Sequence, residues 1–151
     1  MGQQSEVYYQ AALERIREAR HLHTNGYFVL AMYASGLSVE CLLRAFRLFY
    51  ARSFDERHDL WRLWKSTDLA NVHGEFYHEG IQASLGIVTL LWRNDYRFES
   101  ERSLRAFLKK VGRGRGIKGD FLEYNSQELY KAAAEIIRLG TQKWQLRLNK
   151  K

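Results

Sequence analysis

The pattern of hydrophobic and polar positions predicts a helical chain built around one strongly apolar segment. Tyr27–Tyr50 is the longest apolar run, and its hydrophobic residues cover nearly the whole circumference of a helix. A helix of this kind must be surrounded by other helices on most sides. Gly36 lies in its middle, where a glycine costs about 1 kcal/mol relative to alanine, so we expect a packing reason for it.

Amphipathic segments on either side predict the remaining helices. A first helix is expected from Ser5, as its N-cap, to His23, and Asn25-Gly26 predicts a turn that returns the central helix antiparallel. No segment alternates as a strand does, so the fold class is all-α. The later elements are a short helix from Leu60 to about Leu69, a loop with a possible helical turn at 71–80, and helices from about Ile81, Glu101 and Asn125, with Glu128 at N3 of a capping box.

Length and composition indicate one domain over residues 1–151, with a core at about 5–145. Cys41 is the single cysteine, so an intrachain disulfide is excluded and a cytoplasmic location is expected. The first 20 residues are polar, so we expect no signal peptide. The uncharged part of the central segment, 27–39, is shorter than the ~20 residues of a membrane span, so we expect no membrane association.

Positive charge is concentrated in the last third of the chain. Residues 1–99 carry 11 Lys/Arg against 12 Asp/Glu, whereas residues 100–151 carry 13 against 5. This asymmetry favours an anionic partner. Gly112–Gly119, GRGRGIKG, predicts a flexible basic loop whose Arg113, Arg115 and Lys118 could contact an RNA backbone, although a solvated linker is the other interpretation.

One motif resembles a known family. The order A-M-Y-x-S-G-x-x-V-E-C-L-L-R-A at 31–45, followed by His58-Asp59-Leu60, resembles the second helix of HEPN domains, which are small four-helix proteins associated with nucleotides and RNA. The resemblance implies an up-and-down antiparallel four-helix bundle with an extra short helix and a C-terminal helix, and a homodimer. It also implies that His58 helps to dock the short helix.

Trp92–Phe98, WRNDYRF, is similar to a junction where HEPN ribonucleases carry an Arg followed, after four to six residues, by a His. That chemistry needs a cation to stabilise the transition state and an imidazole to move a proton. Here Phe98 follows Arg93 after a gap of four, and no histidine occurs after His78. Arg93 and Arg97 are therefore the only catalytic candidates, and whether the chain is an enzyme stays open.

Three functions remain. In the first and preferred one, Glu40, Arg44, Arg93 and Arg97, together with the basic loop, bind RNA or a nucleotide without efficient cleavage. The resemblance implies a toxin–antitoxin or phage-defence setting for it. The second is a divergent metal-independent ribonuclease toxin.

The third is a purely structural subunit beside a nucleotidyltransferase. Because nucleotidyltransferase partners of HEPN proteins modify a tyrosine near this junction, the resemblance also makes Tyr96 a candidate target, and an aromatic residue at the helix end that packs on Trp92 is the other interpretation.

No metal and no other cofactor is expected. The candidate ligands His73, Glu75, His78 and Glu79 lie in a predicted loop with two glycines and lack the His-x-x-x-His spacing that aligns two ligands on one helix face.

Overall fold

The computed structural model describes residues 2–50, 58–66 and 75–149, which form helices joined by turns. No strand occurs in these three ranges, and the all-α fold class is confirmed. The helices are α1 (Gly2–Thr24), α2 (Phe28–Tyr50), α3 (Leu60–Ser66), α4 (Glu75–Leu91), α5 (Glu101–Lys110) and α6 (Phe121–Leu148), with a 3₁₀ helix at Asn94–Phe98.

Helix α2 forms the centre of the bundle, as its sequence predicts. It packs along α1 and against α6, and α6 also contacts α1 and α4. Phe28–Phe49 is long and apolar enough to cross a membrane, and 67% of its most apolar window is buried. A core helix meets the same criterion. Burial raises the pKa of the Cys41 thiol to about 11, which fits the prediction of a buried hydrophobic residue.

The turn between α1 and α2 is a Schellman motif, in which a glycine in the left-handed region ends the helix. Gly26 has φ +84°, and its N–H donates to the His23 carbonyl at 3.1 Å. The N–H of Tyr27 donates to the Leu22 carbonyl at 2.9 Å. This short connection returns α2 antiparallel to α1, as Asn25-Gly26 predicts.

Gly36 leaves the space that an indole occupies. A Cβ atom at Gly36 would lie 2.0 Å from Cγ of Trp92, which follows α4. The indole Nε1–H of Trp92 donates to the Tyr33 carbonyl at 3.1 Å, which fixes the ring on α2. The predicted packing reason for this glycine is therefore a tryptophan side chain.

A second indole, that of Trp144 on α6, anchors an aromatic cluster. Its ring stacks on Tyr9 of α1 with centroids 4.8 Å apart. Phe46 and Phe49 of α2 meet it edge-on at 5.2 and 5.6 Å. Trp144 is 1% exposed, so this cluster joins three helices in the core.

Several element boundaries differ from the sequence prediction. Ser5 is no N-cap, since α1 begins at Gly2 and Ser5 is buried within it. Helix α6 begins at Phe121 rather than Asn125, because the Asp120 carboxylate accepts the N–H of Leu122 at 3.0 Å and caps the helix earlier. Residues 75–80, predicted as a loop with a possible helical turn, form the first part of α4. The C-terminal helix α6 makes the main bundle contacts, whereas α5 is short and peripheral.

Two predictions concern residues or side chains that the structure does not describe. The predicted end of the short helix, Leu69, lies outside the described residues. The candidate metal ligands also lie outside the description: it covers neither His73 nor the side chains of Glu75, His78 and Glu79.

Candidate nucleic-acid interface

Helix α5 and the loop 111–120 form a surface rich in cations, which we call the basic surface. Arg105 alone among its cations is paired, with Asp120 at 2.7 Å and Glu101 at 2.8 Å. The Arg105 guanidinium holds the pKa of the Asp120 carboxyl below its usual value. Within the described ranges, six cations of this surface have no carboxylate partner: Arg102, Lys109, Lys110, Arg113, Arg115 and Lys118.

The loop of the basic surface is held in place by hydrogen bonds, although its glycines predict flexibility. It begins in a second Schellman motif, in which Gly112 has φ +78° and its N–H donates to the Lys109 carbonyl at 3.1 Å. The N–H of Arg113 donates to the Leu108 carbonyl at 2.8 Å. The backbone at the start of the loop therefore continues directly from α5.

Asn125 of α6 clamps the same loop from the other side. Its side-chain Nδ2 donates to the Arg113 carbonyl at 2.9 Å, and its Oδ1 accepts from Arg113 Nε at 3.0 Å. Asn125 is fully buried. The sequence predicts a helix cap at Asn125, and no sequence signal distinguishes a cap from an internal asparagine that binds a distant loop.

The junction before α5 carries Arg93 and Arg97. The Arg93 guanidinium lies 5.1 Å from the centroid of the Phe107 ring of α5, and it donates to Asp95 at 2.9 Å. Arg97 lies over the ring of Phe98, 4.7 Å from its centroid. The structure thus places Arg93 directly against α5 and Arg97 just before that helix.

Glu40 and Arg44 lie in a different place. The Glu40 carboxylate is 3% exposed, and its Oε1 lies 3.6 Å from Arg44 Nη2 and 2.5 Å from His58 Nδ1. His58 adopts φ +49°, in the left-handed region that non-glycine residues seldom occupy. It immediately precedes Asp59 and α3, so the contact docks α3 on α2, as the family resemblance implies for this histidine.

The contacts group Glu40 with Arg44 and His58, and they group Arg93 with Asp95 and Phe107. Glu40 is 12 residues along α2 from Phe28, which is about 18 Å. The Phe28 end of α2 is where α5 and α6 begin, because Phe28, Glu101 and Leu122 line one small cavity of about 150 Å³. The basic surface lies at that end, away from the Glu40 carboxylate.

Tyr96 is directed into the protein. It is 1% exposed, and its hydroxyl donates to the Leu91 carbonyl. Burial raises the pKa of this phenol above its ordinary range. The buried hydroxyl counts against Tyr96 as a target of a modifying enzyme.

His23 connects the end of α1 to the start of α6, and this contact predicts a pH dependence. Its Nδ1 lies 2.8 Å from the Ser126 hydroxyl oxygen, and burial lowers its pKa from the ordinary 6.5. The unfolded chain therefore binds a proton here at a higher pH than the folded chain does. We expect stability to fall as the pH drops through about 6.5.

Urea unfolding between pH 8 and pH 5 measures this effect. The dependence of the midpoint on pH should become weaker in His23→Gln and stay unchanged in His21→Gln, whose histidine is exposed. An equal pH dependence in the wild type and His23→Gln would contradict the expectation.

These features define an all-α bundle protein with a basic surface at one end of its central helix. The family model of the HEPN domain matches residues 5–83, just over half of the chain. The chain belongs to the HEPN domain family. No curated protein and no solved structure matches it. The matched range ends within α4, so the Trp92–Phe98 junction and the basic surface lie beyond it.

Proposed function

We propose that this HEPN-family protein binds RNA through its basic surface without cleaving it efficiently. The observation that carries the proposal is the set of six cations without a carboxylate partner on α5 and the following loop. Phosphate groups are the anions that such unpaired lysines and arginines bind, and arginine can bind one phosphate through two parallel hydrogen bonds.

The spread of these cations favours a polymer over a mononucleotide. Helix α5 has ten residues and is about 15 Å long, and the loop extends the surface further. A single nucleotide would contact only a few of these cations. A chain of phosphates can contact many of them and release a counterion at each.

Arg115→Glu/Lys118→Glu tests the proposal, because both side chains are exposed and form no hydrogen bond, ion pair or ring contact with another described residue. We expect RNA binding to weaken at least tenfold in a retention or anisotropy assay. The slope of log K against log salt should fall by about one to two, since two phosphate contacts are lost.

Arg17→Glu/Arg20→Glu is the matched control, because it changes the net charge equally on the exposed face of α1. This variant should bind within about twofold of the wild type. Equal losses in both variants would mean that binding depends on net charge alone and would contradict a defined surface.

The alternative function is a divergent metal-independent ribonuclease. The observation in its favour is His58, whose Nδ1 is held by the buried Glu40 carboxylate while its side chain is 44% exposed. A carboxylate that orients an imidazole is a common arrangement for proton transfer. The histidine nevertheless lies with Arg44 rather than with Arg93 or Arg97.

Incubation of the protein with RNA separates the two functions. Total RNA and tRNA are incubated with and without EDTA, beside Arg97→Ala. Intact and retained RNA supports the binding function. Cleavage that persists in EDTA and is lost in Arg97→Ala would replace it with the ribonuclease.

The setting is also part of the proposal: family membership favours a role associated with nucleotides or RNA, and the single cysteine, Cys41, favours a reducing compartment. We place the protein in the cytoplasm, as a homodimer, in a toxin–antitoxin or phage-defence context. A nucleotidyltransferase partner is the third hypothesis. It is weakened by the buried Tyr96 hydroxyl, since the residue would have to leave its pocket to be modified.

A further inference from the structure

Cations and aromatic rings alternate around the basic surface. Two phenylalanines there, Phe107 and Phe121, are only partly exposed and pack against the core. Four cation–aromatic contacts fall within residues 93–121 of the described chain: Arg93 with Phe107, Arg97 with Phe98, and both Arg105 and Lys109 with Phe121.

Phe98 differs from the other two phenylalanines. It is 79% exposed, the highest value among the exposed large hydrophobic residues of the described ranges. The Arg97 guanidinium lies over its ring at 4.7 Å, which occupies one face of the ring and leaves the other available to a ligand. An isolated exposed hydrophobic side chain needs no explanation, but this one adjoins a surface built for phosphate.

The backbone around Phe98 is well fixed. Tyr96 is buried two residues before it, and the N–H of Glu99 donates to the Tyr96 carbonyl at 3.1 Å. Ser100 then caps α5 by accepting the N–H of Ser103 at 3.1 Å. The backbone that carries the ring is therefore fixed relative to the start of α5.

We propose that Phe98, with Arg97 on one face, is a stacking platform for an unpaired base, and that the protein binds single-stranded RNA in preference to duplex RNA. This inference rests on the proposed function and adds the class of RNA to it. Proteins that bind single-stranded nucleic acids place aromatic rings beside a row of cations. The bases stack on the rings and the phosphates contact the cations. Duplex RNA offers its bases poorly, since they are stacked and paired.

The position of the ring fits such a ligand. Arg102 lies in the first turn of α5, four residues after Phe98, and Lys110 ends that helix. The distance from Arg102 to Lys110 along the helix is about 12 Å, which spans roughly two phosphate intervals of an extended strand. Charge complementarity therefore favours a polyanion over an apolar partner on this face.

Binding of a 20-nucleotide oligouridine and of a 20-base-pair RNA duplex, measured by anisotropy at one salt concentration, tests the inference. The wild type should bind the single strand more tightly. Phe98→Ala should weaken binding of the single strand about tenfold and change binding of the duplex less than twofold. Phe98→Trp should restore the affinity for the single strand, because a larger ring stacks at least as well.

Trp61→Ala is the matched control, since Trp61 is an exposed aromatic residue on α3, away from the basic surface. It should leave both affinities unchanged. Equal effects of Phe98→Ala on the two RNAs, or no effect, would overturn the inference. Dissociation of a dimer in Phe98→Ala, seen by sedimentation, would assign the ring to a contact between two copies and would also overturn it.

The two proposals fail in different ways. If Arg115→Glu/Lys118→Glu has no effect on RNA binding, the proposed function fails at its basic surface. If that variant weakens binding while Phe98→Ala does not, the basic surface stands and the stacking platform alone is wrong.

Discussion

Replacement of Trp144 with alanine is expected to lower the free energy of unfolding by about 3–5 kcal/mol, the usual cost of removing a large aromatic side chain from a core. Trp144 is 1% exposed and contacts three rings, those of Tyr9, Phe46 and Phe49. The cavity would lie among α1, α2 and α6, and all three are long helices that cannot close it without moving one another. Urea unfolding followed by circular dichroism measures the loss.

Leu146→Ala provides the control on the same helix. Leu146 is 62% exposed, two residues from Trp144, and its truncation should change stability by about 0.5 kcal/mol or less. A loss in Leu146→Ala as large as that in Trp144→Ala would mean that this end of α6 packs differently from the structure.

The second large effect is expected at Gly36, where alanine should destabilise the protein by about 2 kcal/mol. In the interior of a helix, alanine is more favourable than glycine by up to about 1 kcal/mol, so helix propensity alone predicts a gain in stability. The added Cβ would lie 2.0 Å from Trp92 Cγ, and the indole is held by its hydrogen bond to Tyr33. Overpacking of a rigid contact costs about 1–3 kcal/mol or more, so the clash decides the sign.

Gly86→Ala on α4 is the matched control with the opposite expected sign. A Cβ at Gly86 meets no atom within 4 Å, and the residue lies inside a helix. It should stabilise the protein by about 0.5–1 kcal/mol, since only the helix propensity changes. If Gly36→Ala were as stable as Gly86→Ala, Trp92 would not pack on α2 as the structure shows.

The bundle could be predicted because its signals are local. The apolar circumference of α2, the stop at Asn25-Gly26 and the Glu40–Arg44 pair each follow from residues close in sequence. Gly36 indicated a close approach, although the sequence does not say which side chain makes it. The identity of Trp92 depends on how α4 crosses α2, which no local pattern encodes.

The errors arise where a residue has a distant partner. Asparagine is a common residue at helix N-caps, but the carboxamide of Asn125 binds Arg113 of the preceding loop. Gly80 suggested a loop, yet it lies inside α4, where a glycine costs only about 1 kcal/mol and packing outweighs it.

The candidate site was harder to predict than the bundle. All the proposed residues are polar and compatible with one cleft, but burial divides them. Glu40 is buried against His58, whereas Arg115 and Lys118 are exposed in the loop after α5. Sequence reports which charges exist, while their pairing depends on the fold.

The clamp between Asn125 and Arg113 has a consequence for the thermodynamics of binding. Ordering the backbone of one residue costs about 1–2 kcal/mol of conformational entropy, and a loop that becomes ordered only on its ligand lowers its affinity by that amount for each residue. Here the buried asparagine and the Schellman motif fix the start of the loop already in the free protein. That entropy is lost when the chain folds, and a ligand meets a loop whose first residues are already ordered.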